Sequence, residues 1–202
     1  MSFTKDKSGE GGAPSGAALH LFQALAGQAL DARELRILPL KLAAGEVVFE
    51  PEQIHPYVYV VRSGLLKLHY RQANGEEWIK SFSHEGLFFG SLAALQPQGR
   101  SSFAVTALED CELERLDYRE LEALAERDAG WMKALYRAMR LFAARKEQRE
   151  RELLTLSPPE RYQAFLREDA ALAARLPLKE LALYLGITPV SLSRIRARLS
   201  ES

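Results

Sequence analysis

The chain has 202 residues, with 27 Lys plus Arg against 27 Asp plus Glu and a formal net charge of +0, so no global field draws it to nucleic acid or to an anionic membrane. A single cysteine, Cys111, excludes an internal disulfide, a cysteine-bound iron–sulfur cluster and a cysteine zinc site within one chain. The length allows a medium domain plus a small one, and without a signal-like or membrane-length apolar run the sequence reads as cytoplasmic.

Residues 1–16 carry Gly, Ser and Lys with almost nothing to bury and read as a disordered tail. Leu21, Phe22 and Leu25, then Leu35 and Leu38, recur at helical intervals on either side of Gly27, which predicts two short helices. The period then changes. Lys41 to Phe49, Tyr57 to Val61, Leu65 to Tyr70, Glu77 to Phe82, Ser102 to Leu108 and Cys111 to Leu116 are short segments of β character, set apart by glycines and prolines. Asn74-Gly75 between two of them is the strongest hairpin signal, because both residues tolerate positive φ. Such a succession predicts an antiparallel roll, the jelly roll being the preferred form. His20, His55, His69 and His84 are scattered, which speaks against a metal-dependent oxygenase of similar shape. No nucleophilic triad or carboxylate pair can be argued from spacing, so no catalytic or metal-binding residue is expected.

Asp117 followed by Glu120 is a capping-box pattern that opens a helix running to about Arg127. A second helix is expected over 128–156, since neither proline nor glycine occurs from Trp131 to Leu156. Trp131, Leu135, Met139 and Phe142 give it an apolar seam, and a long helix between two domains is expected to pair with its twin in a homodimer. The seam lapses at Arg145 to Glu152. That stretch is either a solvated surface beyond the contact or an interface left weak so that a signal can adjust it.

Ser157-Pro158-Pro159-Glu160 stops the long helix and opens the next, with Ser157 as cap and Glu160 reaching back. Leu178 to Leu185 predicts a short helix with Leu181, Ala182 and Leu185 facing inward, ended by Gly186. Thr188 caps the following helix, Pro189 takes its first position, and Leu192, Ile195 and Leu199 face back toward the first. Close crossing at a small residue, a turn at glycine and a buried leucine are what a helix-turn-helix requires. The opposite face carries Val190, Ser193, Arg194 and Ala197, flanked by Arg198. With Lys179, Thr188, Pro189 and Ser191 these form the expected contact set for double-stranded DNA.

Three stretches carry a resemblance to the CRP/FNR family of bacterial transcription regulators. They are AAGEVVFEPEQIHPYVYVVRSGLLKLHY, FFGSLAALQPQGRSS and LGITPVSLSRIRARL. The resemblance implies an α+β architecture: an N-terminal sensor β-roll like that of cyclic-nucleotide-binding domains over 17–127, a dimerisation helix over 128–156 and a helix-turn-helix domain over 157–202. It also implies that Gly90, Ser91, Leu92, Arg100 and Ser101 match the family's phosphate-binding cassette, with Lys146 and Glu147 near the positions that contact adenine. Ser91 stands where the family carries the glutamate that holds the ribose. The loss of that charge-assisted hydrogen bond costs about 1.5–3 kcal/mol, or roughly ten- to a hundredfold in affinity.

Cyclic AMP at ordinary affinity is therefore not expected, and no cofactor is assigned. Arg100 is left with two readings, a holder of some other anion or an exposed loop residue in a vestigial pocket. Some members bind haem near the position of His84, a lone residue here. Where the family commonly has Arg-Glu and then Arg, this chain has Pro189, Val190 and Arg194. Arg194 is expected to keep the guanine contact, whereas Val190 cannot accept from cytosine and is able to pack on a thymine methyl. No β-wing is expected after the reading helix, so Lys179 and arginines of the preceding helix are expected to reach phosphates. RNA polymerase is an implied partner if the protein is an activator. The competing reading is an effector-sensing or protein-interaction module that no longer reads DNA.

Overall fold

The computed structural model describes residues 16–72 and 75–200. The expected tail lies outside them except for Gly16, and so does Asn74 of the expected hairpin turn. Helix α1 (Ala17–Ala26) ends at Gly27, whose φ of 73° lets its N–H close on the Gln23 carbonyl at 2.8 Å. The second short helix expected before Leu38 does not form. The Asp31 carboxylate accepts the Arg33 N–H at 3.1 Å, and the Leu35 N–H turns to the Ala32 carbonyl. A side-chain turn thus takes donors that a helix would need, while Leu30, Ala32 and Leu35 are still buried.

One four-stranded sheet has the order β1-β8-β3-β6, from β1 (Leu38–Leu42), β8 (Cys111–Asp117), β3 (Tyr57–Ser63) and β6 (Phe88–Phe89). Its pairings are antiparallel, with Leu40 opposite Leu113 and Tyr59 opposite Arg115. The other sheet runs β2-β7-β4-β5, from β2 (Val47–Phe49), β7 (Ala104–Ala107), β4 (Leu66–Arg71) and β5 (Glu77–Ser83). The last strand thus lies between the first and the third, the non-sequential order of a jelly roll. The segment Lys41 to Phe49, expected as one strand, is two. The chain turns at Gly45, φ 88°, whose N–H donates to the Ala107 carbonyl at 2.8 Å. Between β4 and β5 the Gln72 N–H donates to the Glu76 carbonyl at 2.9 Å, and Gly75 has the positive φ the hairpin requires.

Asp117 caps α3 (Tyr118–Arg127) by accepting the Arg119 N–H at 2.9 Å. Glu120 does not complete that box; its carboxylate accepts the Arg36 N–H at 3.4 Å instead. Helix α4 (Ala129–Thr155) has 27 residues, about 40 Å at ~1.5 Å each. Helix α5 (Pro158–Glu168) carries the complete Ser157–Glu160 box, and α6 (Ala170–Arg175), α7 (Leu178–Leu185) and α8 (Pro189–Ser200) follow.

The chain forms two compact units that divide within α4 and not at its ends. One comprises residues up to Lys67 with Ser83–Ala138, the other Leu68–Phe82 with the residues from Met139 on. The first is centred on Phe49, Tyr59, Phe89 and Phe103, with Leu65, Leu113 and Leu116 around them, all but closed to solvent. Tyr59 stacks on Phe89 at 5.1 Å, and Phe49 meets Phe103 at 5.5 Å. The core of the second includes Tyr162, Phe165, Leu172, Leu181, Leu185 and Leu192. Among the described residues no helix is long and apolar enough to cross a membrane.

Candidate nucleic-acid interface and sensor cassette

Leu181, Ala182 and Leu185 of α7 and Leu192 of α8 have no exposed surface, so the two helices share one apolar seam. Gly186 takes φ 70° and the Ile187 N–H reaches the Ala182 carbonyl at 3.0 Å, which closes α7 and turns the chain. The Thr188 hydroxyl accepts the Ser191 N–H at 3.2 Å and lies 3.0 Å from the Ser191 hydroxyl, so both side chains serve the cap. Pro189 is the first residue of α8. Ile195 and Leu199 are half-buried behind Leu192.

The outer side of α8 bears Val190, Ser193, Arg194, Ala197 and Arg198, all exposed, and Lys179, Thr188 and Pro189 are exposed as well. Ser193 and Ala197 are small enough for close approach, and a guanidinium fork can read guanine at two points. Arg196 turns the other way, 5.6 Å from the centre of the Tyr162 ring. Sequence reasoning missed Arg161. Its Nε donates to the Leu185 carbonyl at 3.0 Å and its Nη1 to the Leu156 carbonyl at 2.7 Å, tying the ends of α7 and α4 to α5. No periodicity marks such a residue, because its partners are backbone carbonyls, one of them 24 positions away.

The residues that match the family's cassette lie in the first unit. A Cβ on Gly99 would sit 1.9 Å from the Ala93 carbonyl oxygen, so only glycine fits there. Ser91 is fully buried, its hydroxyl without a hydrogen-bond partner, and Leu92 is exposed. A short ladder closes the loop, with the Glu52 N–H on the Ser101 carbonyl at 2.8 Å and the Ser101 N–H on the Gln53 carbonyl at 2.9 Å. The buried Ser101 hydroxyl donates to the Phe103 carbonyl at 2.7 Å. Arg100 is exposed, and its Nη1 donates to the Glu52 carbonyl at 2.6 Å. Gly90, Ser91, Arg100 and Ser101 lie in or beside this loop, and position 91, where the resemblance implies a glutamate, carries a buried hydroxyl and no carboxylate. Lys146 and Glu147 belong to the second unit and are exposed.

The residues expected to form the pairing seam differ in exposure. Trp131 is 1% exposed in the core of its own unit, where Nε1 donates to the Asp31 carbonyl at 2.9 Å and the ring meets Phe22 at 5.6 Å. Leu135, Met139 and Phe142 are half-buried, and Lys80 lies 5.7 Å over the Phe142 ring. The outward apolar residues nearby are Met132 and Tyr136, 50% and 60% exposed, one position beyond Trp131 and Leu135.

The histidines remain apart. His20 is exposed on α1, His69 is buried against Glu77 at 2.8 Å, and His84 has Nδ1 3.9 Å from Glu85. Among the described residues no three His, Cys, Asp or Glu converge as metal ligands would.

The sheet order, long helix and turn motif define a roll-and-helix-turn-helix architecture, and comparison with known proteins agrees. Residues 39–128 match the cyclic nucleotide-binding domain family. FixK2 from Bradyrhizobium japonicum is similar with a TM-score of 0.70 at 21% identity, over 82% of this chain and 85% of that one. A CRP/FNR family transcriptional regulator from Thermus thermophilus gives 0.63 at 22%, over 81% and 86%. The catabolite activator protein of the same organism gives 0.52 at 23%, over 93% and 85%. No relative by sequence is found among curated proteins. The chain shares the fold of the CRP/FNR regulators, its residues 39–128 match the cyclic nucleotide-binding domain family, and the resemblance read from the sequence is borne out at that level.

Proposed function

We propose that the protein is a sequence-specific DNA-binding transcription regulator of the CRP/FNR type. It acts as a homodimer on a palindromic site and does not require cyclic AMP. The observation that carries this reading is the outer face of α8, where Arg194 stands exposed among Val190, Ser193, Ala197 and Arg198 over a helix fixed by the fully buried Leu192. In this reading residues 17–127 are the sensor roll, 128–156 the pairing helix and 157–202 the DNA-binding domain. Arg194 takes a guanine, Val190 a thymine methyl, and Lys179 a phosphate. A second copy meets Met132, Tyr136 and Met139, which follow one another at helical spacing on α4. The setting is the cytoplasm, with RNA polymerase as a partner if the protein activates.

Selection of sites from random duplexes, followed by binding across a salt series, tests the reading. A palindrome with a guanine under Arg194, bound ever more weakly as salt rises, supports it. Recovery of the unaltered family half-site counts against the role of Val190. One observation favours the competing reading of an interaction module: Val190, with an apolar side chain, is 61% exposed where an acceptor would read cytosine. Binding that shows neither salt dependence nor sequence preference would establish that alternative. Calorimetry with cyclic nucleotides, alone and with DNA, tests the cassette. Tight binding of cyclic AMP that switches DNA affinity would overturn the reading of Ser91.

A further inference from the structure

The charged stretch Arg145 to Glu152 is not wholly solvated. Arg149 lies over Tyr184 of α7 with its guanidinium carbon 3.7 Å from the ring centre, and its Nη2 donates to the Tyr184 carbonyl. The same ring meets Phe165 of α5 at 5.3 Å and Phe82 of β5 at 5.4 Å. Beside it, Gln148 donates from Nε2 to Glu152 at 3.0 Å and also to Glu168 of α5. Arg149 is half-buried and Glu152 is buried, although both lie in the most charged part of the sequence. Burial holds the guanidinium below its ordinary range and the Tyr184 phenol above its own.

We propose that Arg149 and Tyr184 form the joint that fixes the angle between the long helix and the reading helix, and thereby the half-site spacing the dimer accepts. This rests on the dimeric regulator reading above. A two-fold dimer presents its reading helices at one separation only if each is held firmly to its own pairing helix. The covalent link alone does not hold it. Helix α4 ends at Thr155, Leu156 and Ser157 intervene, and two prolines start α5. Stiffness must come from side chains that bridge this break, and the stacked Arg149 does so with a planar group against a ring. A swing of ~10° over ~18 Å, the length of the 12-residue α8, moves its far end ~3 Å, close to the ~3.4 Å rise of one base pair.

The test uses the full-length protein and duplexes carrying the selected half-sites at native spacing, at spacings altered by single base pairs, and as one half-site alone. Wild type and Tyr184→Phe, which keeps the ring, are expected to prefer native spacing about tenfold. Arg149→Met and Tyr184→Leu should hold the single half-site within about twofold of wild type yet lose most of that preference. Because Tyr184→Leu removes a buried ring and can fail to fold, Arg149→Lys is included. It keeps the charge, lacks the planar stack, and must show the same loss. Equal weakening on every duplex, the single half-site included, overturns the proposal, and so does an unchanged spacing preference. Wild type that binds paired half-sites no better than one overturns the dimeric reading itself, and this joint with it.

Discussion

The ring of His55 lies 10° from parallel to that of Tyr59, with centroids 5.7 Å apart, and its Nε2 is 2.8 Å from the Tyr59 hydroxyl. Phe49 closes on the imidazole at 4.5 Å. Burial first, and Arg115 second, bring its pKa from 6.5 down to about 4. The folded roll therefore keeps His55 neutral, while the unfolded chain takes up a proton as soon as the pH falls below about 6.5. Stability is fully present above that value and is lost toward pH 4. The ring is partly exposed, so solvent screening roughly halves the effect, to about 1–2 kcal/mol. Urea unfolding at neutral and acidic pH is expected to show wild type losing that much more than His55→Asn. Equal acid sensitivity in the two proteins would place the effect on carboxylates instead.

Leu192 and Val190 sit two residues apart and make opposite predictions. Leu192 is fully buried against α7, so Leu192→Ala removes packed methyl groups and leaves a cavity, at about 2–5 kcal/mol. Melting should register this loss, and DNA affinity should fall on every sequence alike. Val190 is 61% exposed, and Val190→Ala is expected to change stability by less than about 0.5 kcal/mol. Its effect should appear as a relaxed preference at one base pair when sites are reselected. A Val190→Ala protein with the wild-type preference would remove Val190 from the base contacts.

What was legible in the sequence was chemistry that neighbouring residues settle among themselves. Gly186, Thr188 and Pro189 specify a helix end, a cap and a first turn through atoms within four residues, and the structure has each of them there. Periodicity told less, because it marks a stripe without saying what covers it. Trp131 carried the right spacing for a pairing seam, yet its ring is in its own core, drawn there by Phe22 and the Asp31 carbonyl. Nor could spacing find the hold of Arg100 on Glu52, the hold of Arg161 on two helix ends, or the stack of Arg149 on Tyr184. Each joins residues 24 or more positions apart or closes on a backbone carbonyl. Two-residue β6 is too short for alternation to register at all.

The pairing surface proposed on α4 can be tested apart from the fold, since Met132 and Tyr136 are exposed while Trp131 is buried. Met132→Glu with Tyr136→Glu places charge on two exposed positions, so the fold should persist while light scattering reports a single subunit. Trp131→Ala should instead cost about 3–5 kcal/mol by emptying a core site, with the folded fraction still paired. A dimer that withstands the double glutamate change would place the interface elsewhere on the chain.

Lys80 offers a test in alkaline solution. Its ammonium lies 5.7 Å over Phe142, and burial, followed by the charge of Lys146, brings its pKa from 10.5 down to about 8. Below about pH 8 the folded protein must carry a charge that its surroundings disfavour, a cost the unfolded chain does not bear. As the pH rises from 8 toward 10.5 the folded amine gives up its proton first, and that cost is relieved. Lys80→Met has no charge to bury and keeps the alkyl contact with Phe142, so it is expected to be more stable than wild type at neutral pH by about 1–3 kcal/mol. The gap should close between pH 8 and 10.5, because only wild type gains there. Guanidinium unfolding of both proteins at neutral pH and at pH 10 reads the two differences directly. A variant that is less stable at neutral pH would mean that the cation over the Phe142 ring contributes more than its burial costs.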